Sequence, residues 1–248
     1  MRAKHGAGAP SPPSGREGRG EGVSPRVVAQ QSRNPSPAKA RHPLTVIKIG
    51  GSAAFSPELR RLATAVAECG GRAVIVPGGG PFADAVRAAQ PRMGFDDTAA
   101  HHMALLAMEQ FGRALASFDA RLSPADTIAS VRRSLRDKRV PIWLPTRMAL
   151  AGDISASWEV TSDSLAAWLA GKLRASRLVL LKQVELPPDA VSVTELAEKG
   201  IVDPAFPAFL KKSGVPALIL GPADHMAVAA TLCDDPHIGT PIVVRSSG

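Results

Sequence analysis

The sequence predicts an α/β protein built on a parallel sheet with helices on both faces. Three observations carry this. Short, continuous apolar runs such as Val46-Ile47-Lys48-Ile49, Ala73-Val74-Ile75-Val76 and Leu178-Val179-Leu180-Leu181 read as strands buried on both sides. Helix-spaced segments alternate with them along the chain. Two of the strands run straight into glycine clusters, Gly50-Gly51-Ser52 and Gly78-Gly79-Gly80.

Residues 1–43 are rich in Gly, Pro, Ser, Ala and Arg. Such a segment cannot bury enough surface to offset its ordering entropy, so a disordered basic tail is expected ahead of a domain at 44–248. It has no apolar stretch of the secretory kind. Strand one is read at 44–49. A helix follows at 57–69, entered through Ser56-Pro57-Glu58, with Leu59, Leu62, Ala63 and Val66 on one face and Gly70-Gly71 as its stop. Strand two spans 72–76, a short helix 81–90 and a long one 97–119. Residues 126–138 admit a short strand at Thr127-Ile128-Ala129 before a helix over 130–138. The run 141–145 reads as a buried strand. Thr161 to Leu173 is a helix with Ser162 and Asp163 in its opening turn, and 177–182 is a further buried strand. Helices at 194–199 and 204–213, a strand at 216–220, a helix at 223–232 and a strand at 241–245 complete the pattern.

Composition narrows the function. The chain of 248 residues suffices for one domain with a substantial core. Its net charge of +8 is lopsided, because eight of the 30 Lys/Arg but two of the 22 Asp/Glu fall within residues 1–43. The remainder is nearly neutral, and with 4% aromatic residues and no Tyr it offers no basic, stacking surface for nucleic acid. No apolar run approaches the ~20 residues of a membrane span. Cys69 and Cys233 fit no metal or redox spacing and are expected as reduced thiols of a cytoplasmic protein.

The chemistry sits at the strand ends. Lys48 closes an apolar strand, and the Gly50-Gly51-Ser52 turn behind it exposes backbone N–H groups to an anion. Gly78-Gly79-Gly80 offers a second such turn. Two anion cradles in one domain suggest phosphoryl transfer. Neither is a GxxxxGK[ST] loop nor a GxGxxG fingerprint. Lys182 ends strand 177–182 and would share a carboxyl edge with Lys48 if the two strands run the same way. In Trp158-Glu159-Val160-Thr161-Ser162-Asp163-Ser164, Thr161 or Ser162 would cap the helix. Asp163 either serves the helix's positive end alone or also reaches the lysines.

The stretches KIGGS (48–52), VPGGGPFADAVR (76–87), TSDSLAAWLA (161–170), LVLLK (178–182) and HIGT (237–240) resemble the amino acid kinase superfamily. The resemblance spans 44–245 and implies a three-layer αβα sandwich around a mostly parallel sheet of about eight strands. It implies that Lys48 contacts the transferring phosphoryl group and that Gly50, Gly51 and Ser52 surround the ATP phosphates. Gly78, Gly79 and Gly80 would form the acceptor side, and Asp163 would organise Lys48 and Lys182. It also implies ATP with Mg²⁺, no metal site made of protein side chains, and a homodimer or larger assembly. The sequence departs from the family in three places. Asp203, in Gly200-Ile201-Val202-Asp203, replaces a second catalytic lysine of acetylglutamate kinases. Gln183-Val184-Glu185-Leu186-Pro187-Pro188 replaces the usual adenine-lining turn. Pro81-Phe82-Ala83-Asp84 lacks the histidine of isopentenyl phosphate kinases.

Within the superfamily, PGGGPFADAVR, the segment 100–108 and Trp158 ahead of TSDS are similar to the branch that phosphorylates an aminomethylfuran phosphate in methanofuran biosynthesis. That similarity implies attack on ATP by a phosphomonoester to give a diphosphate. His101 or His102 would then meet the acceptor phosphate and Asp84 the substrate amine. Trp158 and Ser162 would lie on the substrate side.

Overall fold

Burial explains why the apolar runs become strands. Every residue of β1 (Thr45–Ile49) and β2 (Ala73–Pro77) is buried. The computed structural model describes residues 43–187, 189–223 and 239–244. The expected tail, Cys233 and most of the helix expected at 223–232 lie outside the described residues, as do positions 237 and 238 of HIGT.

The other strands are β3 (Leu122–Ala125), β4 (Val140–Trp143), β5 (Arg177–Leu181), β6 (Val191–Ser192), β7 (Ala217–Leu220) and β8 (Thr240–Val243). They form one eight-stranded sheet in the order β3-β4-β2-β1-β5-β7-β8-β6. Every pairing is parallel except that of β7 with β8. The helices are α1 (Leu59–Ala67), α2 (Gly80–Met93), α3 (Asp97–Ala116), α4 (Ile128–Arg136), α5 (Thr146–Leu150), α6 (Ser162–Leu173), α7 (Val193–Glu198) and α8 (Phe206–Ser213).

Strand parity sorts the core into two layers. Val46, Val74, Leu178 and Leu180 pack with Leu165 and Leu169 of α6. Ile47, Ile75, Val179 and Leu181 pack with Leu62 and Val66 of α1. Each buried aliphatic side chain contributes about 1.5–3 kcal/mol, so the alternation fixes which helix covers which face.

Several elements differ from the sequence reading. The entry into α1 is a short 3₁₀ turn (Gly51–Ala53) and a bend, and the helix starts at Leu59 rather than 57. α2 runs through Pro91 to Met93, because a proline in the last turn forfeits only one bond. In segment 126–138 the helix begins at Ile128, where Thr127 and Ser130 make a reciprocal capping box. The strand of this region lies earlier, at Leu122–Ala125, as the sheet's outer strand, where Pro124 is tolerated. α5 and the two-residue β6 were not anticipated. Cys69 is disulfide-bonded, which corrects the expected reduced thiol and removes the support it lent to a cytoplasmic location.

Candidate active site

The parity that builds the core also aims the two lysines. Lys48 shares its face of β1 with Val46, and Lys182 continues the face of Leu178 and Leu180. Both therefore face the layer that contains α6. β1 and β5 are parallel neighbours, with Lys48 opposite Leu180, so both lysines emerge at one carboxyl edge. Asp163, in the first turn of α6, meets them there. Lys48 Nζ lies 2.9 Å from Asp163 Oδ1, and Lys182 Nζ donates to Oδ2 at 2.7 Å. The Lys48 contact is an ion pair without hydrogen-bond geometry, which leaves Oδ1 with no hydrogen bond.

The cluster is dry. Asp163 is 3% exposed and Lys48 5%. Burial raises the Asp163 carboxyl, but the charges of Lys48 and Lys182 outweigh it and hold the group below the usual carboxylate range. Burial, and then the like charge of Lys48, push Lys182 down to about 8 despite Asp163. Two cations on one carboxylate leave a surplus positive charge at low dielectric, which attracts a phosphoryl group.

The two glycine loops stand beside this cluster, locked together by backbone contact. A Cβ at Gly51 would lie 2.3 Å from the Gly80 nitrogen, and one at Gly78 would lie 2.4 Å from the Gly51 nitrogen. No side chain fits between them. Gly78 packs at the loop junction, and its N–H donates to Ile49 O at 2.8 Å. Gly51, Ser52, Gly79 and Gly80 all open onto one cavity of about 290 Å³.

That cavity brings together most of the substrate-side residues read from sequence. Asp84, His101, Trp158 and Ser162 line it, over a floor that includes Leu105, Met108 and Leu165. His101 is buried, and burial followed by the neighbouring His102 lowers its imidazole below the ordinary value. His102 lines a different cavity, so of the two histidines only His101 reaches this one. Trp158 is held in place by its Nε1–H, which donates to Gln90 Oε1 at 2.7 Å.

Two functional candidates escaped the sequence reading. Arg87 lines the cavity, lies 4.6 Å over the Trp158 ring and pairs with Asp84 at 3.3 Å. Its signal was present, one helical turn after Asp84 inside PFADAVR. The second is Asp203, to which the sequence reading gave no hydrogen-bonding role. It accepts hydrogen bonds from Thr161 and Ser164 at the start of α6, so the expected side-chain cap by Thr161 or Ser162 is replaced by a remote carboxylate.

A lysine–carboxylate–lysine cluster beside paired glycine loops, at the carboxyl edge of an αβα sheet, defines a phosphate-transferring kinase. The chain belongs to the amino acid kinase family, whose model matches residues 43–186. One relative is [5-(aminomethyl)furan-3-yl]methyl phosphate kinase of Methanocaldococcus jannaschii, 28% identical over 187 residues, covering 71% of this chain and 86% of that protein. Among solved structures, uridylate kinase from Archaeoglobus fulgidus superposes with a TM-score of 0.64 at 17% identity, covering 81% of this chain and all of that one. Aspartate kinase from Synechocystis superposes at 0.54 and 15% identity over 82% of this chain, which spans 40% of that longer protein. These two structures share the fold.

Proposed function

We propose that the protein transfers the γ-phosphoryl group of ATP to the phosphate of a small phosphate ester, giving a diphosphate. The acceptor proposed is [5-(aminomethyl)furan-3-yl]methyl phosphate, in methanofuran-type cofactor synthesis. The observation that carries the reading is the buried Lys48–Asp163–Lys182 cluster beside the interlocked glycine loops.

In this mechanism an acceptor phosphate oxygen attacks the γ-phosphorus in line. A P–O bond forms, the bond to the bridging oxygen breaks, and ADP leaves. The acceptor's second ionisation lies near pH 6, so it arrives as a nucleophile and needs no strong base. The obstacle is repulsion between two anions. Lys48 and Lys182 screen it, and Asp163 fixes their spacing. Gly50, Gly51 and Ser52 hold the nucleotide phosphates, while Gly79 and Gly80 hold the acceptor phosphate. Mg²⁺ would arrive on the nucleotide's own oxygens and neutralise charge there. Among the described residues no group of three acidic, His or Cys side chains could hold a metal.

The cavity supports a zwitterionic acceptor. Asp84 offers a carboxylate for an ammonium group, His101 and Arg87 offer donors for a phosphate, and Trp158 walls the space between. The test is ADP release from Mg-ATP across aminomethylfuran phosphate, isopentenyl phosphate, UMP, acetylglutamate and aspartate. Turnover confined to the furan phosphate is the expected result. Turnover on a different acceptor replaces the substrate. ATP binding without turnover on any acceptor favours an anion-storage protein on the same fold.

A further inference from the structure

Asp203 is a buried carboxylate that touches neither glycine loop, yet it is tied to the transfer site. It lies in the connection between α7 and α8, 7% exposed. Its Oδ2 accepts the Thr161 N–H at 3.0 Å, the Thr161 Oγ1–H at 2.8 Å and the Ser164 N–H at 3.0 Å. Its Oδ1 accepts the Ser164 hydroxyl. Four donors converge on two oxygens, the acceptor-only pattern of a carboxylate. Thr161 is the N-cap of α6, and its own side chain makes no capping bond. Asp203 therefore caps the helix from 42 residues away.

Asp163 lies between the two tethered residues, on the same turn. Fixing Thr161 and Ser164 fixes the backbone that carries it. We propose that Asp203 is a positioning residue for phosphoryl transfer, acting through the first turn of α6 on Asp163 and thereby on Lys48 and Lys182. This rests on the reading of that cluster as the transfer site.

The charges that face Lys182 come from three elements: Lys48 on β1, Asp163 on α6, and Asp203 ahead of α8. Lys48 and burial favour the neutral amine, and the two carboxylates favour the ammonium. Removing the Asp203 charge should lower the pH at which Lys182 loses its proton.

The test compares Asp203→Asn with the wild-type full chain. The expected result is a kcat lower by about 10–100-fold, with KM for nucleotide and acceptor changed by less than about threefold. The alkaline limb of the pH profile should move to lower pH. Thr161→Val, which removes one of the four donors, should lower kcat in the same direction by less. Wild-type kcat in Asp203→Asn, or an unmoved alkaline limb, overturns the proposal. If the Asn variant does not fold, Thr161→Val and Ser164→Ala decide it, and wild-type kcat in both overturns it. A substrate-free measurement separates this from a wrong acceptor. NMR of ¹³Cε-lysine-labelled protein, with Lys182 assigned through Lys182→Arg, reads the Lys182 midpoint directly. A lower midpoint in Asp203→Asn supports the link whatever the acceptor; an unchanged midpoint contradicts it.

Discussion

Lys48, Asp163 and Lys182 share one buried ion cluster, but deleting different members should have opposite structural costs. Lys48→Met removes a cation that repels Lys182 and leaves Asp163 still paired. We expect kcat to fall by about 10³-fold or more, with the melting temperature nearly unchanged. Asp163→Asn leaves the two buried ammonium groups without the carboxylate that pairs them, with only the charge of Asp203 still facing Lys182. It should cost about 3–5 kcal/mol in urea unfolding as well as activity. The pH dependence follows from Lys182. Its folded value, about 8, lies below the ordinary 10.5. The ammonium that would meet the phosphoryl group is therefore lost as pH rises through about 8, and kcat/KM should fall on that limb. Lys182→Arg, whose guanidinium stays charged, should flatten the limb. The stability effect runs the other way. Between about 8 and 10.5 the unfolded chain binds the extra proton, so this group's contribution to stability rises with pH.

At the scale of elements, the two glycine loops act as one part. Gly51→Ala would drive a Cβ to 2.3 Å from the Gly80 nitrogen, against backbone that cannot yield locally. The loops must separate, so activity should be lost along with about 1–3 kcal/mol of stability. Thr127→Ala is the contrasting case. It removes the cap of α4 and should cost about 1 kcal/mol in thermal unfolding, with kcat unchanged. Much of this organisation is legible in the sequence. Lys48 and Lys182 read from the sequence as the ends of two buried strands, on one carboxyl edge if those strands run the same way, and the register of β1 with β5 supplies the face they share. What was not legible is nonlocal or atypical. The Asp203 cap joins residues far apart in the chain, and no local pattern announces it. β3 contains a proline and reads as a loop until its place at the sheet edge is known. Arg87 looks like a solvated helix residue until Trp158 is found beneath it.

At the scale of the molecule, the sheet brings Lys48, Lys182 and both glycine loops to one edge, and the cavity lined by those loops opens there. The family assignment covers the β1–β5 half of the domain, which carries all three members of the ion cluster. The central claim is that this edge joins two phosphates. The most direct test is ³¹P NMR of the product formed from Mg-ATP and aminomethylfuran phosphate, with Lys48→Met as control. The account predicts a pair of coupled diphosphate doublets that belong to the furan product, growing with ADP and absent in the variant. Orthophosphate as the sole new signal, or the same product at the same rate from Lys48→Met, would contradict it.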